Sequence, residues 1–311
     1  MQKTVLFLHI PKAGGSTLQS CIYDSVHHDL GEKSAGQPEL NGEVYFYPIG
    51  FFKDPGLEPS GNVKNAVSVS RLKAVLGHFS YGIHRYTSTP IAYVTLLRDP
   101  VERVISLYYH LVTYGLWRAD IGLGTFAQTC PAEGWTAELS RWYRGRAHAL
   151  SQPFSEEEFR QASRTIVDND QTRRIAGVEP RFGECDRQTL QQAVDNLMDF
   201  DVVGLVERFD ESLLMMIRRF GWNAKLKYLP RLLNRSKPKR EEIPAPVREL
   251  IQERNTLDLE LYRRGQERFE KALARQESNF GKQLEEFRER NRLHHSENEH
   301  VIRAWEIRTD G

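Results

Sequence analysis

Val5, Leu6, Phe7 and Leu8 form an unbroken apolar run that closes on a histidine and a Pro-Lys-Ala-Gly-Gly turn. A short run of this kind, bounded by turn residues, is the pattern of a strand buried on both faces, so residues 4–9 are expected as strand. Past the glycines, Leu18, Cys21, Ile22 and Val26 recur at helical spacing, with Ser16 as the expected N-cap. The chain opens as strand, glycine loop, helix. Residues 31–65 are rich in Gly, Pro and Asn and read as loops over a sheet edge, with one short strand at 44–47.

Residues 91–97 are a second buried run, ending at Arg98-Asp99-Pro100. Asp99 can cap a helix there, Pro100 suits its first position, and Glu102 completes a capping box. Val101, Val104, Ile105, Tyr108 and Leu111 supply its buried face. From 126 to 197 the pattern is mostly helical with polar breaks. A strand is expected at 201–206, then a helix capped by Asp210 and running to 219. A basic loop, 231–240, precedes a long helical region from Pro246. Beyond Arg263 charges of both signs dominate, while Phe269, Leu273, Leu284 and Phe287 keep a sparse apolar stripe. That stretch reads as a solvated helix or a partner helix with a frayed end. The chain shows no internal repeat.

Buried strands alternating with helices predict an α/β fold with a central, mostly parallel sheet flanked by helices. The 311 residues would fill about two domains of ~150 residues, or one large α/β domain with appended helices. Lys and Arg number 43 against 42 Asp and Glu, a formal charge of +1. A global basic field for nucleic acid is therefore absent, and any anion site must be built locally. Cys21, Cys130 and Cys185 are spread along the chain without a CxxC pair, which excludes a disulfide scaffold and a common zinc module. The first apolar run is too short for a signal segment or membrane span, and no later run is long enough, so a cytoplasmic protein is expected.

Two segments carry the candidate chemistry. In His9-Ile10-Pro11-Lys12-Ala13-Gly14-Gly15-Ser16-Thr17, backbone N–H groups at a helix N-terminus make an anion cradle that the glycines let a phosphate approach. Lys12 adds a positive charge. The nucleotide-triphosphatase signature GxxxxGK[ST] fails, because the lysine precedes the glycines. Read alone, the segment also fits a plain glycine turn with a surface lysine. In the second segment, Arg98 closes a strand, where open α/β sheets bind ligands, and Ser106 lies two helical turns on. Together they can grip another phosphate; alone they are a salt-bridged arginine and an ordinary helix serine.

In combination, HIPKAGGST followed by a strand-ending RDPxxRxxSxYY resembles the sulfotransferases that use 3′-phosphoadenosine 5′-phosphosulfate (PAPS). The wording is nearest to the carbohydrate branch that includes the heparan sulfate 2-O-sulfotransferases. Further echoes are Asn169-Asp170-Gln171-Thr172-Arg173, the segment 203–212, and Asp258-Leu259-Glu260-Leu261-Tyr262. The resemblance implies a three-layer P-loop-like fold over residues 1–263, with a charged helical C-terminal extension at 264–311. It implies PAPS as donor, 3′-phosphoadenosine 5′-phosphate (PAP) as product, and no metal. Lys12 would stabilise the leaving phosphate oxygen. Lys12, Ala13, Gly14, Gly15, Ser16 and Thr17 would hold the 5′-phosphate, and Arg98 and Ser106 the 3′-phosphate. Asn234, Ser236 and Lys237 match in position the late segment that closes over the nucleotide.

His78, in Leu76-Gly77-His78-Phe79, is the candidate general base, since imidazole titrates near neutrality. The 2-O branch carries His-x-His here, and this chain has Leu76 at the first position. The plain alternative for His78 is a structural histidine. His84 stands in reserve, while His9 is expected to orient backbone. His84, Arg85, Arg141 and Arg144 are assigned to the acceptor, a carbohydrate or another hydroxyl-bearing molecule such as a secondary metabolite; Arg141 and Arg144 sit in an aromatic–cationic cluster suited to acidic sugars. Golgi members of the family carry an N-terminal anchor, and its absence here implies a bacterial, cytosolic type. The competing classes are a magnesium-dependent nucleotide kinase or ATPase, and a non-catalytic scaffold that associates, as a homo-oligomer for instance, through its C-terminal helices.

Overall fold

The computed structural model describes residues 3–26, 44–46, 73–86, 89–138, 163–231, 234 and 237–304. The apolar runs are the strands. β1 (Thr4–Leu8), β2 (Val44–Phe46), β3 (Ala74–Gly77), β4 (Ile91–Leu97) and β5 (Phe200–Leu205) form one sheet in the order β2-β3-β1-β4-β5. Every pairing is parallel, with Leu8 of β1 opposite Gly77 on one side and Thr95 on the other. The strand runs are mostly apolar because both sheet faces are covered. Leu6, Leu8, Tyr93, Leu97, Val203 and Leu205 point to one face and Val5, Phe7, Leu76, Val94 and Leu96 to the other.

The second face packs on α1 (Gly15–Val26) and α6 (Phe209–Phe220) through Leu18, Ile22, Leu213 and Met216. The first packs on α4 (Asp170–Ala176), α5 (Arg187–Leu197) and α8 (Thr256–Ala274) through Ile175, Leu190, Leu261 and Phe269. Gly265 permits that last contact, since a Cβ there would stand 2.3 Å from Leu97 Cδ1. A third apolar cluster joins α2 (Pro100–Thr113), α3 (Leu123–Thr129) and α7 (Ala245–Arg254) around Trp117, Phe126 and Ile251. The three-layer α/β fold is as expected. Among the described residues no helix is long and apolar enough to cross a membrane.

Local expectations at the helix ends shift. α1 starts at Gly15, with Gly14 at φ +68° ahead of it, so Ser16 lies in the first turn rather than at the cap. At α2, Asp99 accepts from the Glu102 N–H at 3.0 Å, but the reciprocal half of the box is missing. The Glu102 carboxylate instead takes Lys237 Nζ at 2.7 Å, and the Asp99 N–H donates to Glu207 Oε1 at 2.9 Å. α6 starts at Phe209, ahead of Asp210, whose carboxylate accepts from the Tyr228 hydroxyl at 2.6 Å. The long helix from Pro246 breaks at Asn255, whose side-chain NH2 caps the Val167 carbonyl at 2.9 Å. Phe269 and Leu284, expected on a solvated or partner face, are buried against the chain's own sheet layer together with Phe280, Leu273 is partly buried there, and Phe287 is buried against the other. Of these, Phe280, Leu284 and Phe287 lie on α9 (Phe280–Glu297).

α4 and α8 cap one another. Asn169, the residue before α4, accepts from the Leu257 and Asp258 N–H groups at 3.0 and 3.1 Å in the first turn of α8. Asp258 returns the bond, accepting from the N–H groups of Gln171 (3.2 Å) and Thr172 (2.7 Å) and from Thr172 Oγ1 (2.8 Å). Four orphan donors of two helix ends are thus satisfied by two side chains. The Asp258 carboxylate is fully buried, and desolvation pushes its pKa up, with Arg103 opposing. Replacing Asp258 by Ala leaves buried N–H groups without acceptors, and we expect a loss of about 3–5 kcal/mol of unfolding free energy. Urea denaturation checks this: a loss under about 1 kcal/mol, no more than one ordinary hydrogen bond is worth, would show that the exchanged caps carry little of the fold.

Candidate active site

Three residues that directly follow strands meet at one edge of the sheet: His9 after β1, His78 after β3 and Arg98 after β4. β1 lies between β3 and β4, and the chain leaves β1 and β4 in opposite directions, which makes this the crevice where open parallel sheets take ligands. The His9 N–H donates to the Gly77 carbonyl at 2.8 Å, and Thr95 Oγ1 donates to the Leu8 carbonyl at 2.9 Å, locking the strand ends together.

The loop after β1 turns at once. Ala13 N–H bonds the Ile10 carbonyl at 3.1 Å, with Pro11 at the first corner and Lys12 at the second, at φ +64°. A positive φ at the second corner is the type II arrangement that favours glycine, so a lysine held there costs about 1–2 kcal/mol. Gly15 is required for another reason: a Cβ on it would stand 1.9 Å from the His9 ring, which lies directly beneath. The first-turn N–H groups of Gly15, Ser16 and Thr17 have no carbonyl ahead of them in the helix, and all three residues line the cavity. Ala13 differs. It is buried, with its N–H spent on the turn.

Arg98 reaches over this loop, donating from Nη1 to the Lys12 carbonyl at 2.9 Å, with Nη2 3.5 Å from Glu102. Its own backbone is clamped: Gln171 Oε1 accepts its N–H at 3.0 Å and Gln171 Nε2 donates to its carbonyl at 2.9 Å. Burial, then the charges of Arg98 and Lys237, push the Lys12 ammonium down to about 7. Cations crowd this corner, a state that an anion would relieve.

His78 donates from Nδ1 to the His9 carbonyl at 2.8 Å, since a carbonyl can only accept. Its ring lies on the His9 ring, centroids 4.0 Å apart. Arg174 Nη1 donates to the His78 carbonyl at 3.2 Å, and Arg174 is itself paired with buried Asp170. Burial first, then Arg174 and Lys12, hold the imidazole down to about 3, against the raising effect of the His9 hydrogen bond. His78 is therefore neutral at physiological pH, the form able to accept a proton.

One cavity of about 370 Å³ joins these groups. Lys12, Gly14, Gly15, Ser16, Thr17, His78, Arg98 and Ser106 line it, all singled out from the sequence. His9, His110, Val206, Phe209, Tyr228, Pro230 and Arg231 complete the wall. The motifs gave no sign of His110 or Tyr228, whose neighbourhood is set by packing between distant helices. Gln171 and Arg174 stood in a segment noticed only as an echo. Asn234 and Lys237 bind to α2, at Thr113 (3.5 Å) and Glu102, while Arg231 N–H donates to Thr17 Oγ1 of α1 at 3.0 Å. His84 and Arg85 lie on a 3-10 turn outside the cavity lining, with His84 Nδ1 3.1 Å from the Tyr93 hydroxyl. Ser236, Arg141 and Arg144 fall outside the described residues.

The chain is similar to the heparan-sulfate 6-O-sulfotransferase 3 of Mus musculus, at 28% identity over 209 residues, 64% of this chain and 41% of that protein. It is 27% identical to the Homo sapiens protein of the same name over the same shares. It spans about two fifths of the length of these relatives. The motif wording resembled the 2-O branch and these relatives are 6-O by name; carbohydrate sulfotransferase is common to both. The description of a matching family model, which takes in residues 2–263, is that of the sulfotransferase family, and the chain belongs to it.

Proposed function

We propose that this protein transfers the sulfuryl group of PAPS to a hydroxyl of a carbohydrate acceptor. The observation that carries the reading is the cavity at the β1–β4 crevice. There a helix N-terminus, Lys12, Arg98 and Ser106 face one space with a neutral histidine. The donor set fits a molecule with two separated anionic groups. N–H groups of Gly15, Ser16 and Thr17 would take the 5′-phosphate, and Arg98 with Ser106 the 3′-phosphate. Thr17 Oγ1 accepts from Arg231, so its own O–H remains to donate. Asn234, Ser236 and Lys237 would close the strap over the nucleotide. The carbohydrate acceptor rests on the names of the relatives, with a secondary-metabolite hydroxyl as the alternative acceptor. His84, Arg85, Arg141 and Arg144 are its proposed contacts.

The chemistry is an in-line displacement in which positioning and charge stabilisation do most of the work. The acceptor oxygen forms a bond to sulfur while the bond from sulfur to the 5′-phosphate oxygen breaks. The acceptor proton passes to His78 Nε2, and Lys12 stabilises the charge that develops on the leaving oxygen. Anions in the cavity offset the cations that depress His78, so its proton affinity rises when the donor is bound.

PAP without metal should raise the unfolding free energy by about 2.7 kcal/mol at 100 times its dissociation constant. Stabilisation by magnesium–ADP alone would instead favour a kinase or ATPase.

His78→Ala should abolish turnover while PAP affinity stays nearly intact, whereas Lys12→Ala loses both. Full sulfation by the His78 variant would remove it as the base.

Affinity should also depend on pH. A bound anion raises the Lys12 pKa above its free value of about 7. Binding free energy is then complete below that value and is lost as pH rises toward the bound pKa, by up to tenfold in Kd per unit. Titration calorimetry between about pH 7 and 9, where the phosphates are ionised, reads this directly. A flat profile in the unmodified protein would show that Lys12 does not meet the anion.

A further inference from the structure

α9 lies beyond the family match, which ends at residue 263, yet it reaches the wall of the cavity. The link is Tyr228. Its N–H donates to Asn291 Oδ1 at 3.0 Å and its carbonyl accepts from His295 Nε2 at 2.9 Å. Its ring meets the His295 ring edge-on, centroids 5.2 Å apart, and stacks at 6.3 Å on Phe287. Asn291, His295 and Phe287 all belong to α9. The Tyr228 hydroxyl donates to Asp210 Oδ1 at 2.6 Å, and Arg288, also on α9, stands 3.5 Å from the other oxygen of that carboxylate. Tyr228, Pro230 and Arg231 line the cavity, and Arg231 N–H is bonded to Thr17 in the anion-binding turn.

Tyr228 is therefore fastened at its N–H, its carbonyl, its ring and its hydroxyl, and three of these four fixings come from α9. Asn291 is buried and has its other end committed too, with Nδ2 donating to the Phe287 carbonyl at 3.0 Å. A buried carboxamide satisfied at both ends fixes geometry, because any shift of Tyr228 strands a polar group away from water. A helix that served only to cover apolar surface would need Leu284 and Phe287 and nothing more.

We infer that α9 is a positioning element of the donor site. Asn291 and His295 hold the main chain at Tyr228 so that Tyr228, Pro230 and Arg231 form the side of the cavity facing Lys12 and Arg98. The inference rests on the reading of this cavity as the PAPS site. It gives the C-terminal segment a role in donor affinity.

The test measures PAP binding by calorimetry on the full chain, with melting temperature recorded alongside. His295→Phe keeps a ring against Tyr228 and removes the Nε2 donor. It should weaken PAP about five- to tenfold, the size expected for one positioning hydrogen bond. His295→Gln returns an N–H and should restore the affinity to within about twofold, well inside the effect of one hydrogen bond. Asn291→Leu should weaken PAP at least as much as His295→Phe. In turnover, the donor KM of His295→Phe should rise by more than kcat falls. Unaltered PAP affinity in His295→Phe and Asn291→Leu overturns the inference, whatever the change in melting temperature. So does a loss that glutamine fails to rescue. Absence of PAP binding by the unmodified chain overturns the donor reading instead, and α9's role in it.

Discussion

The exchange of caps between α4 and α8 governs the placement of the site. Asn169 and Asp258 each satisfy the helix end that the other precedes or begins, across 89 positions of sequence. Neither helix can shift without stranding buried N–H groups, so α4 is fixed against the sheet. From α4, Gln171 clamps the backbone of Arg98, Arg174 holds the carbonyl of His78, and Asp170 pairs with Arg174 and with Arg103 of α2. Arg98 and His78, two strand-end residues of the cavity wall, are thus supported by one short helix of seven residues. Such a network stabilises only when complete, since each missing member leaves an uncompensated polar group in a low-dielectric interior.

The cavity shows the cost of preorganisation. Lys12 sits in a left-handed conformation that lysine disfavours, and its ammonium is crowded by Arg98 and Lys237. Both penalties are borne by the folded protein before any ligand arrives. Strain and like-charge crowding at one residue are the marks of a site built for a state other than its own resting one. Burial, with the charges of Arg174 and Lys12, keeps His78 unprotonated, so on the proposed reading Lys12 bears on both the anion and the proton acceptor. The surrounding fold supplies the compensation through parallel strands buried on both faces.

Local patterns made much of this legible. The apolar runs named β1, β4 and β5, and the glycine turn and Arg98 named the crevice, because a parallel sheet confines ligands to its strand ends. Ser16 and Asp210 misled as caps because a side chain suited to capping is a local signal, while the true helix start depends on the turn before it. Glu102 fits a capping box in isolation and is drawn off by Lys237, 135 positions away. The roles of Asn169, Gln171 and Asp258 were invisible for the same reason: each acts on a backbone group far off in sequence, and no periodicity records such a pairing. The stripe of Phe269, Leu273, Leu284 and Phe287 looked sparse because the helices carrying it expose most of their surface.

That sparse stripe also explains how a highly charged tail becomes part of the fold. A helix rich in both signs gains little from its surface ion pairs, which are worth well under about 1 kcal/mol each. What docks α9 is Leu284 in one apolar cluster and Phe287 in the other, and what aligns it is the buried Asn291. Burial of apolar surface supplies attraction without direction; the carboxamide supplies direction. The main chain at Tyr228 is the part of the cavity least constrained by the sheet, lying in the stretch between α6 and the basic loop with no strand to fix it. An added helix with one apolar seam and two polar contacts is enough to fix it, and the charged remainder keeps that helix in water on its outer side.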